Sequence, residues 1–458
     1  MTMQEYFESI RGKTVAVVGL GVSNRPLVDL LLQHGCKPVL CDKRGPEQFG
    51  EYGERLLAAG CVFHTGETYL ENLDCDLIFR TPGLHPRFLQ QAVERGSEVT
   101  SEMELFFRFC PCRIFAVTGS DGKTTTSTLI SELLKAQGYK VWLGGNIGTP
   151  LLDKIPLMTK EDMVVLELSS FQLHSMRCRP DCALVTNISP NHLDIHPDYQ
   201  DYIDAKKQIF LNQTPDGRLV INADNEITRT FAADAPSRPV WFSRTGAVEN
   251  GVYLRGDEIV SSEAGTEEVV LHREDILIPG LHNVENYMAA YAAVRDLVSP
   301  ENLRNVARSF PGVPHRLEMI RVLHGVTYCN DSIASSPTRT IAGLNAINVK
   351  PILIAGGYDK HVPFTDLGHE ICKHVKKLFL CGATAPLIYK AVTESPLYDA
   401  GKLPIVELHD FKETVLAASA AAGEGDMVLL SPACASFDQF PNFAVRGDTF
   451  REIVNALK

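Results

Sequence analysis

The run Ala116-Val117-Thr118-Gly119-Ser120-Asp121-Gly122-Lys123-Thr124-Thr125 holds the residue types of a phosphate cradle. Gly119 and Gly122 let backbone N–H groups close on an anion, and a helix opening at Lys123 adds its positive N-terminal end. Lys123 can reach the outer phosphates, and the Thr124 hydroxyl can take a Mg²⁺. An apolar run at 113–117 precedes the glycines, and Leu129, Ile130, Leu133 and Leu134 follow at helical spacing. The motif is therefore predicted between a strand and a helix. The usual spacing would put a glycine at Val117, so this is a shortened P-loop. It implies nucleoside triphosphate binding. The alternative is a glycine turn that happens to precede Lys-Thr.

Further chemistry sits at other predicted strand ends. The strand at 163–168 is apolar except for Glu167. A carboxylate there must be paired or bound to metal, and beside a P-loop it commonly holds Mg²⁺. The alternative is a buried ion pair. The strand at 182–188 runs into Ser189-Pro190-Asn191-His192-Leu193-Asp194-Ile195-His196. His192, Asp194 and His196 could be read as a zinc site, but no cysteine lies nearby, and a nucleotide pocket favours oxygen-rich Mg²⁺ ligation. His192 is the favoured ligand, with Asp194 and His196 in support, and a lone surface histidine is the alternative for His196. Gly144-Gly145-Asn146-Ile147-Gly148 is a second glycine loop on the same edge. Asn283 and Asn286 open a helix whose polar start could touch adenine or phosphate. Lys206, on a polar helix, reads as a solvated side chain.

Three α/β segments must position these groups. The chain has 458 residues, too many for one core. The first segment, 1–101, opens with a strand at 14–18, Gly19-Leu20-Gly21, a helical run and a second strand ending at Asp42. This is most of a dinucleotide-type fingerprint, but Asn24 replaces the third glycine. Asp42, Lys43 and Arg44 are placed to meet a sugar, base or phosphate. A structural turn fits the glycines equally. Arg80-Thr81-Pro82-Gly83 follows another strand on the same edge. The central segment, 102–312, carries the P-loop. In the third, 313–458, strands at 326–329, 351–355, 378–381 and 427–430 end in Asn330-Asp331-Ser332, Gly356-Gly357-Tyr358-Asp359-Lys360 and Ser431-Pro432-Ala433-Cys434-Ala435-Ser436. Arg316, at the entry, is placed to close over a γ-phosphate.

Composition excludes several classes. Net charge is −12, with 45% hydrophobic and 22% charged residues, which fits a globular chain and not a nucleic-acid binder. No apolar run is long enough to span a membrane. Residues 1–10 lack an apolar signal core. Twelve scattered cysteines without a CxxC pair fit the reducing cytoplasm. There is no low-complexity tract and no fixed-period repeat.

Together, Thr118-Gly-Ser-Asp-Gly-Lys-Thr124, Glu167-Leu-Ser-Ser-Phe-Gln172, Asn191-His-Leu-Asp194 and Gly280-Leu-His-Asn-Val-Glu-Asn286 resemble the Mur ligases, the ATP-dependent amide-forming enzymes of peptidoglycan precursor synthesis. The Gly144 loop and Leu430-Ser-Pro-Ala-Cys-Ala-Ser436 through Phe443 resemble the branch that adds D-glutamate to UDP-N-acetylmuramoyl-L-alanine. The Asp-Asn-Pro-Arg motif of the diamino-acid-adding branch is absent. The resemblance spans the chain and implies a Rossmann-like N-terminal domain, a P-loop-type central ATPase domain and a Rossmann-like C-terminal domain.

By that resemblance, Val22, Ser23, Asp42, Lys43, Arg44, Thr81 and Gly83 bind the UDP-sugar, with Asn146 and His192 near its muramoyl-alanine carboxylate. Gly119, Ser120, Asp121, Gly122, Lys123, Thr124, Thr125 and Asn286 bind ATP, with Arg316 and Asp331 from the third domain. Thr124, Glu167, His192 and a carbamylated Lys206 hold two Mg²⁺ ions. Lys123, His192, Lys206 and Arg316 carry catalysis, and Lys360, Ser436 and Phe443 meet D-glutamate. A cytoplasmic monomer is expected. The family often has Asn at position 121 and Lys at position 333, where this chain has Asp121 and Ile333. A folylpolyglutamate-type ligase would lack the Rossmann-like start. A nicotinamide oxidoreductase would leave the P-loop and Glu167 without a purpose, and a nucleotide switch needs no UDP pocket.

Overall fold

The computed structural model describes residues 1–190, 196–359 and 362–458. The chain forms two compact units, Met1–Ile276 with Leu281–Arg308, and Leu277–Gly280 with Ser309–Lys458. Three sheets organise them.

The first sheet contains β1 (Val15–Val18), β2 (Val39–Asp42), β3 (Val62–Thr65), β4 (Leu77–Arg80) and β5 (Glu98–Thr100). Its order is β3-β2-β1-β4-β5, all parallel. β1 and β4 are buried throughout, as a sheet covered on both faces requires. The chain leaves β1 in one direction and returns as β4 on its other side. The loops after β1 and β4 therefore face each other at the switch point, where such sheets take ligands.

The second sheet contains β6 (Arg113–Thr118), β7 (Val141–Gly145), β8 (Met163–Glu167), β9 (Cys182–Val185), β10 (Arg218–Asn222), β11 (Arg238–Ser243), β12 (Gly251–Arg255), β13 (Glu258–Glu263) and β14 (Thr266–His272). Its order is β14-β13-β12-β11-β10-β9-β6-β8-β7. Strands β7 to β12 are parallel, and β12-β13-β14 form an antiparallel extension. β6 lies between β8 and β9, so the P-loop opens at a second switch point. Register sets Glu167 level with Val117 and with Gly145. The helix Lys123–Ala136 buries Leu129, Ile130, Leu133 and Leu134 on the sheet.

The third sheet contains β15 (Glu318–Leu323), β16 (Val326–Asn330), β17 (Ile352–Ala355), β18 (Lys377–Leu380), β19 (Ile405–Glu407) and β20 (Met427–Leu430), in the order β15-β16-β20-β17-β18-β19. Only β15 is antiparallel. Leu430 pairs with both Asn330 and Ile354, so Asp331, Gly356 and Ser431 leave one edge together. The fold is thus α/β throughout. All twelve cysteines are free. Among the described residues no helix is long and apolar enough to cross a membrane.

Candidate active site

The P-loop is shaped by its neighbour on β9. Gly119 (φ 147°) and Gly122 (φ 76°) adopt backbone that L side chains avoid, and a Cβ on Gly119 would collide with the Thr186 hydroxyl. Thr186 donates to the Asp121 carbonyl at 2.6 Å, and the Asn187 side chain accepts from the Asp121 N–H at 3.0 Å. Ser120 is buried, with its hydroxyl 2.9 Å from that of Tyr202 and donating to the Ser189 carbonyl. Asn286 stands against Gly122, where a built Cβ would meet its Oδ1 at 2.5 Å, and it accepts from the Thr126 hydroxyl. Thr124 and Thr125 occupy the first turn of the helix that Gly122 caps.

Two lysine Nζ groups crowd one carbonyl. Lys123 Nζ donates to Gly119 O and Ser120 O, both at 2.9 Å. Lys206 Nζ donates to Gly119 O at 2.8 Å and to the Thr118 hydroxyl at 3.3 Å. Lys206 is 1% exposed, which corrects the solvated reading. Burial, and then the Lys123 charge, hold its amine well below the ordinary lysine value. Tyr202 packs under the ammonium, its ring centroid 4.7 Å away.

Glu167 is 1% exposed. Its Oε1 accepts from Asn146 Nδ2 at 2.7 Å, while Oε2 is buried without a hydrogen-bond partner among the described residues. Such an oxygen is costly unless a cation meets it. With the Thr124 hydroxyl in the first turn of the P-loop helix, the donors are hard oxygens, which suit Mg²⁺. Asn191, His192, Asp194 and Lys360 lie outside the described residues. His196 is buried and is no surface histidine: its Nδ1 is 2.6 Å from Asp201 Oδ2, and its Nε2 is 3.0 Å from the Ser170 hydroxyl. His85 and His174 also gather at Asp201. His85 Nδ1 accepts from the Arg87 N–H, so in the neutral ring the proton sits on Nε2 and that nitrogen offers no lone pair to a metal. His174 and His196 hydrogen-bond to Asp201, and His85 Nε2 stands 3.7 Å from it, buried without a hydrogen-bond partner among the described residues.

At the first switch point Gly19 (φ 84°) backs onto Thr81, whose Cγ2 would lie 2.6 Å from a built Cβ. Asn24 is buried, and its amide donates to Gly19 O at 2.8 Å and to Val18 O, so it braces the loop in place of the third glycine. Asp42 accepts from the Leu20 N–H and takes Arg44 through both oxygens. Burial would raise this carboxyl, but the bonds from Arg44 and Leu20 outweigh it and hold it below its ordinary value. Arg44 stacks over Phe49, Lys43 pairs with Glu67, and Val22 is 69% exposed beside Ser23. Gly83 shares the loop that Arg80 shapes. Arg80, 1% exposed, donates to the carbonyls of Thr81, Pro82, Leu84 and Phe171 and to the Ser175 hydroxyl.

In the second unit Asp331 is buried at the end of β16 and accepts from the Ser431 hydroxyl at 2.7 Å and the Leu317 N–H. Burial pushes its carboxyl up to about 7 against those bonds and the Arg316 and Arg339 charges. Both neighbours of Arg316 are left-handed, His315 at φ 64° and Leu317 at φ 42°. Strain of this kind collects at functional sites. Ser436 is buried and Phe443 is 37% exposed. The buried Arg446 ties their loops together, donating to Ser332 O, Cys434 O and Ala435 O.

The sequence matches the Mur ligase middle domain over residues 117–294 and the Mur ligase glutamate ligase domain over residues 315–434. It is 50% identical to the UDP-N-acetylmuramoylalanine–D-glutamate ligase of Acetivibrio thermocellus, covering 100% of this chain and 99% of that one. The corresponding ligase of Clostridium novyi is 49% identical over the same shares. The chain belongs to the Mur ligase family. Its fold is similar to that of the UDP-N-acetylmuramate–alanine ligase of Thermotoga maritima (TM-score 0.56, 17% identity, covering 97% of this chain and 100% of that one). The MurF of Acinetobacter baumannii is similar as well (TM-score 0.59, 15% identity, covering 99% and 93%).

The candidate site also rests on residues that the motifs do not announce. Thr186 and Asn187 hydrogen-bond to Asp121 in the P-loop, Tyr202 links the loop to the helix bearing Lys206, and Arg80 and Arg446 are buried behind the candidate ligand loops. Each acts through backbone carbonyls or hydroxyls brought together only by the sheet. A polar residue at the end of an apolar strand was the available signal for Thr186, Asn187 and Arg80. Tyr202 and Arg446 had none.

Proposed function

We propose that this chain is an ATP-dependent ligase that adds D-glutamate to UDP-N-acetylmuramoyl-L-alanine in peptidoglycan precursor synthesis. The observation that carries this reading is the nucleotide cradle itself. Two lysines converge on the Gly119 carbonyl, and an orphaned Glu167 oxygen lies on the adjoining strand. The names of the 50% identical relatives give it the substrates.

Three domains of 1–101, 102–312 and 313–458 would take the UDP-sugar, ATP and D-glutamate. In the first, Val22, Ser23, Asp42, Lys43, Arg44, Thr81 and Gly83 bind the UDP portion. In the second, the P-loop from Gly119 to Thr125 binds the phosphates and Asn286 the adenosine side. Glu167, Thr124, a carbamylated Lys206 and, by family resemblance, His192 would hold two Mg²⁺ ions, which supply compensation for the crowded phosphate charge. Lys206 suits carbamylation because burial and the Lys123 charge favour its neutral amine, the form that adds to CO₂. In the third, Ser436 and Phe443, with Lys360 by resemblance, bind D-glutamate.

The substrate carboxylate oxygen attacks the γ-phosphorus, the bond to the ADP oxygen breaks, and an acyl phosphate forms. Lys123 stabilises charge building on the phosphoryl oxygens, and Arg316 does the same from the second unit. Asn146 orients Glu167 and the carboxylate end of the sugar. The amine of D-glutamate, freed of its extra proton, attacks the acyl carbon, and the tetrahedral intermediate expels phosphate. Free thiols fit a cytoplasmic enzyme.

Phosphate release from ATP and Mg²⁺ tests the reading, with UDP-N-acetylmuramoyl-L-alanine and D-glutamate, L-glutamate, L-lysine or no amino acid. Release is expected only with the sugar nucleotide and D-glutamate together. Release with another amino acid would reassign the third domain, and release with neither would make the chain an ATPase.

A further inference from the structure

Position 333, at the carboxyl edge of the third sheet, holds Ile333, which brings no charge to a loop that begins with Asp331 and Ser332. The nearest cation on the same segment is Arg339. It lies in the first turn of the helix Pro337–Ala346 and is exposed, and its Nη1 donates back to the Ile333 carbonyl at 3.2 Å. Among the described residues the guanidinium forms no salt bridge with a carboxylate.

The helix is pinned with Arg339 on the site side. Thr340 exchanges hydrogen bonds with Ser431, donating to its carbonyl at 3.3 Å and lying 3.0 Å from its hydroxyl. One turn beyond Arg339, Gly343 comes so close to Asp331 that a built Cβ would stand 3.0 Å from Oδ2. Residues four apart share a helix face, so the stripe that packs on Asp331 includes Arg339. Arg316 and Arg339 both act electrostatically on that one buried carboxyl. Two guanidiniums around a single acid leave positive charge unmatched, in a chain whose net charge is −12. Arginine donors fit carboxylates bidentately. The neighbouring Ser332 hydroxyl donates to the Phe443 carbonyl at 2.7 Å, which puts this corner beside the loop assigned to the amino acid.

We propose that Arg339 is a specificity-determining residue that binds a carboxylate of the incoming D-glutamate, supplying from the helix the charge that Ile333 lacks. The proposal rests on the ligase reading above. If wild-type enzyme shows no phosphate release dependent on D-glutamate, that reading fails. The comparison below is informative where the wild type does show it.

The test compares steady-state kinetics of wild type, Arg339→Ala, Arg339→Lys and the double variant Arg339→Ala/Ile333→Lys, each checked by thermal melting. Arg339→Ala is expected to raise the KM for D-glutamate on the order of 10- to 100-fold, the loss of one charged hydrogen-bonded contact. The KM values for ATP and the sugar nucleotide should not move. Arg339→Lys should retain part of the affinity, and Ile333→Lys in the alanine background should restore at least about tenfold of it. A helix-packing role alone would not respond to a cation placed at position 333. An unchanged KM for D-glutamate in Arg339→Ala overturns the assignment. So does a rise confined to ATP, which would make the partner a phosphate. Failure of Ile333→Lys and Arg339→Lys alike to recover affinity overturns it too.

Discussion

Lys206 shows what one buried charge costs a fold and why it is retained. Its ammonium would sit against Lys123 with, among the described residues, only Gly119 O and the Thr118 hydroxyl as acceptors. Burial and the Lys123 charge therefore favour the neutral amine. An unfolded lysine keeps its proton up to about pH 10.4. The unfolded chain thus binds more protons than the folded one below that value, and this site makes stability rise with pH from the lowered folded pKa toward the ordinary one. Lys206→Met should remove the penalty while filling the same space. We expect stability at neutral pH to rise by about 1–3 kcal/mol, with a flatter pH dependence in calorimetry, and turnover to fall by about 10²-fold or more. A destabilised Lys206→Met protein would show that the amine's hydrogen bonds outweigh its desolvation. Nothing local in the sequence marks this burial: Asp204 and Lys207 flank the lysine, and it is covered by β6 and the P-loop, remote in the chain. Glu167 was legible because its own strand is otherwise apolar.

At the scale of elements, each glycine loop depends on the strand beside it. Gly119 is held at φ 147° against Thr186 on the loop after β9. In Gly119→Ala the added methyl must displace Thr186, which also holds the Asp121 carbonyl. A shift on the order of 1 Å in a phosphate cradle costs about 10²-fold. We expect the KM for ATP to rise by that order, measured by phosphate release. Affinity for UDP-sugar, measured by calorimetry, should stay as in wild type, because the loops proposed to bind it follow β1 and β4 on a different sheet. Loss of both would mean the substitution unfolds the unit. The strands that carry these loops were legible to within a residue or two, since parallel strands buried on both faces read as unbroken apolar runs. The extension β12-β13-β14 was not. Its strands bury residues on both faces, Ile259 on one and Val260 on the other, and leave Glu263, Glu267 and Glu268 in solvent, so they read neither as unbroken apolar runs nor as a clean alternation.

At the scale of the whole molecule, the residues proposed for the chemistry belong to two units. The P-loop, Glu167, Lys206 and the Gly19 and Thr81 loops belong to one, and Arg316, Asp331, Arg339 and Ser436 to the other. The division separates binding from turnover experimentally. Arg316→Ala removes a side chain from a loop whose left-handed backbone at His315 and Leu317 is held from elsewhere, by the Glu318 carboxylate on the His315 N–H and by Asp331 on the Leu317 N–H. The first unit keeps every residue of its own ligand loops. An arginine that stabilises transferring phosphoryl charge is worth about 10³-fold or more in turnover. We therefore expect kcat to fall by that order in Arg316→Ala, while the affinity for UDP-N-acetylmuramoyl-L-alanine, measured without ATP, matches wild type. Equal turnover would remove Arg316 from the phosphoryl-transfer step and leave Lys123 as its cation. A parallel loss of sugar-nucleotide affinity would mean that the first unit's site is not complete on its own, and the assignment of UDP binding to the loops after β1 and β4 would then have to include the second unit.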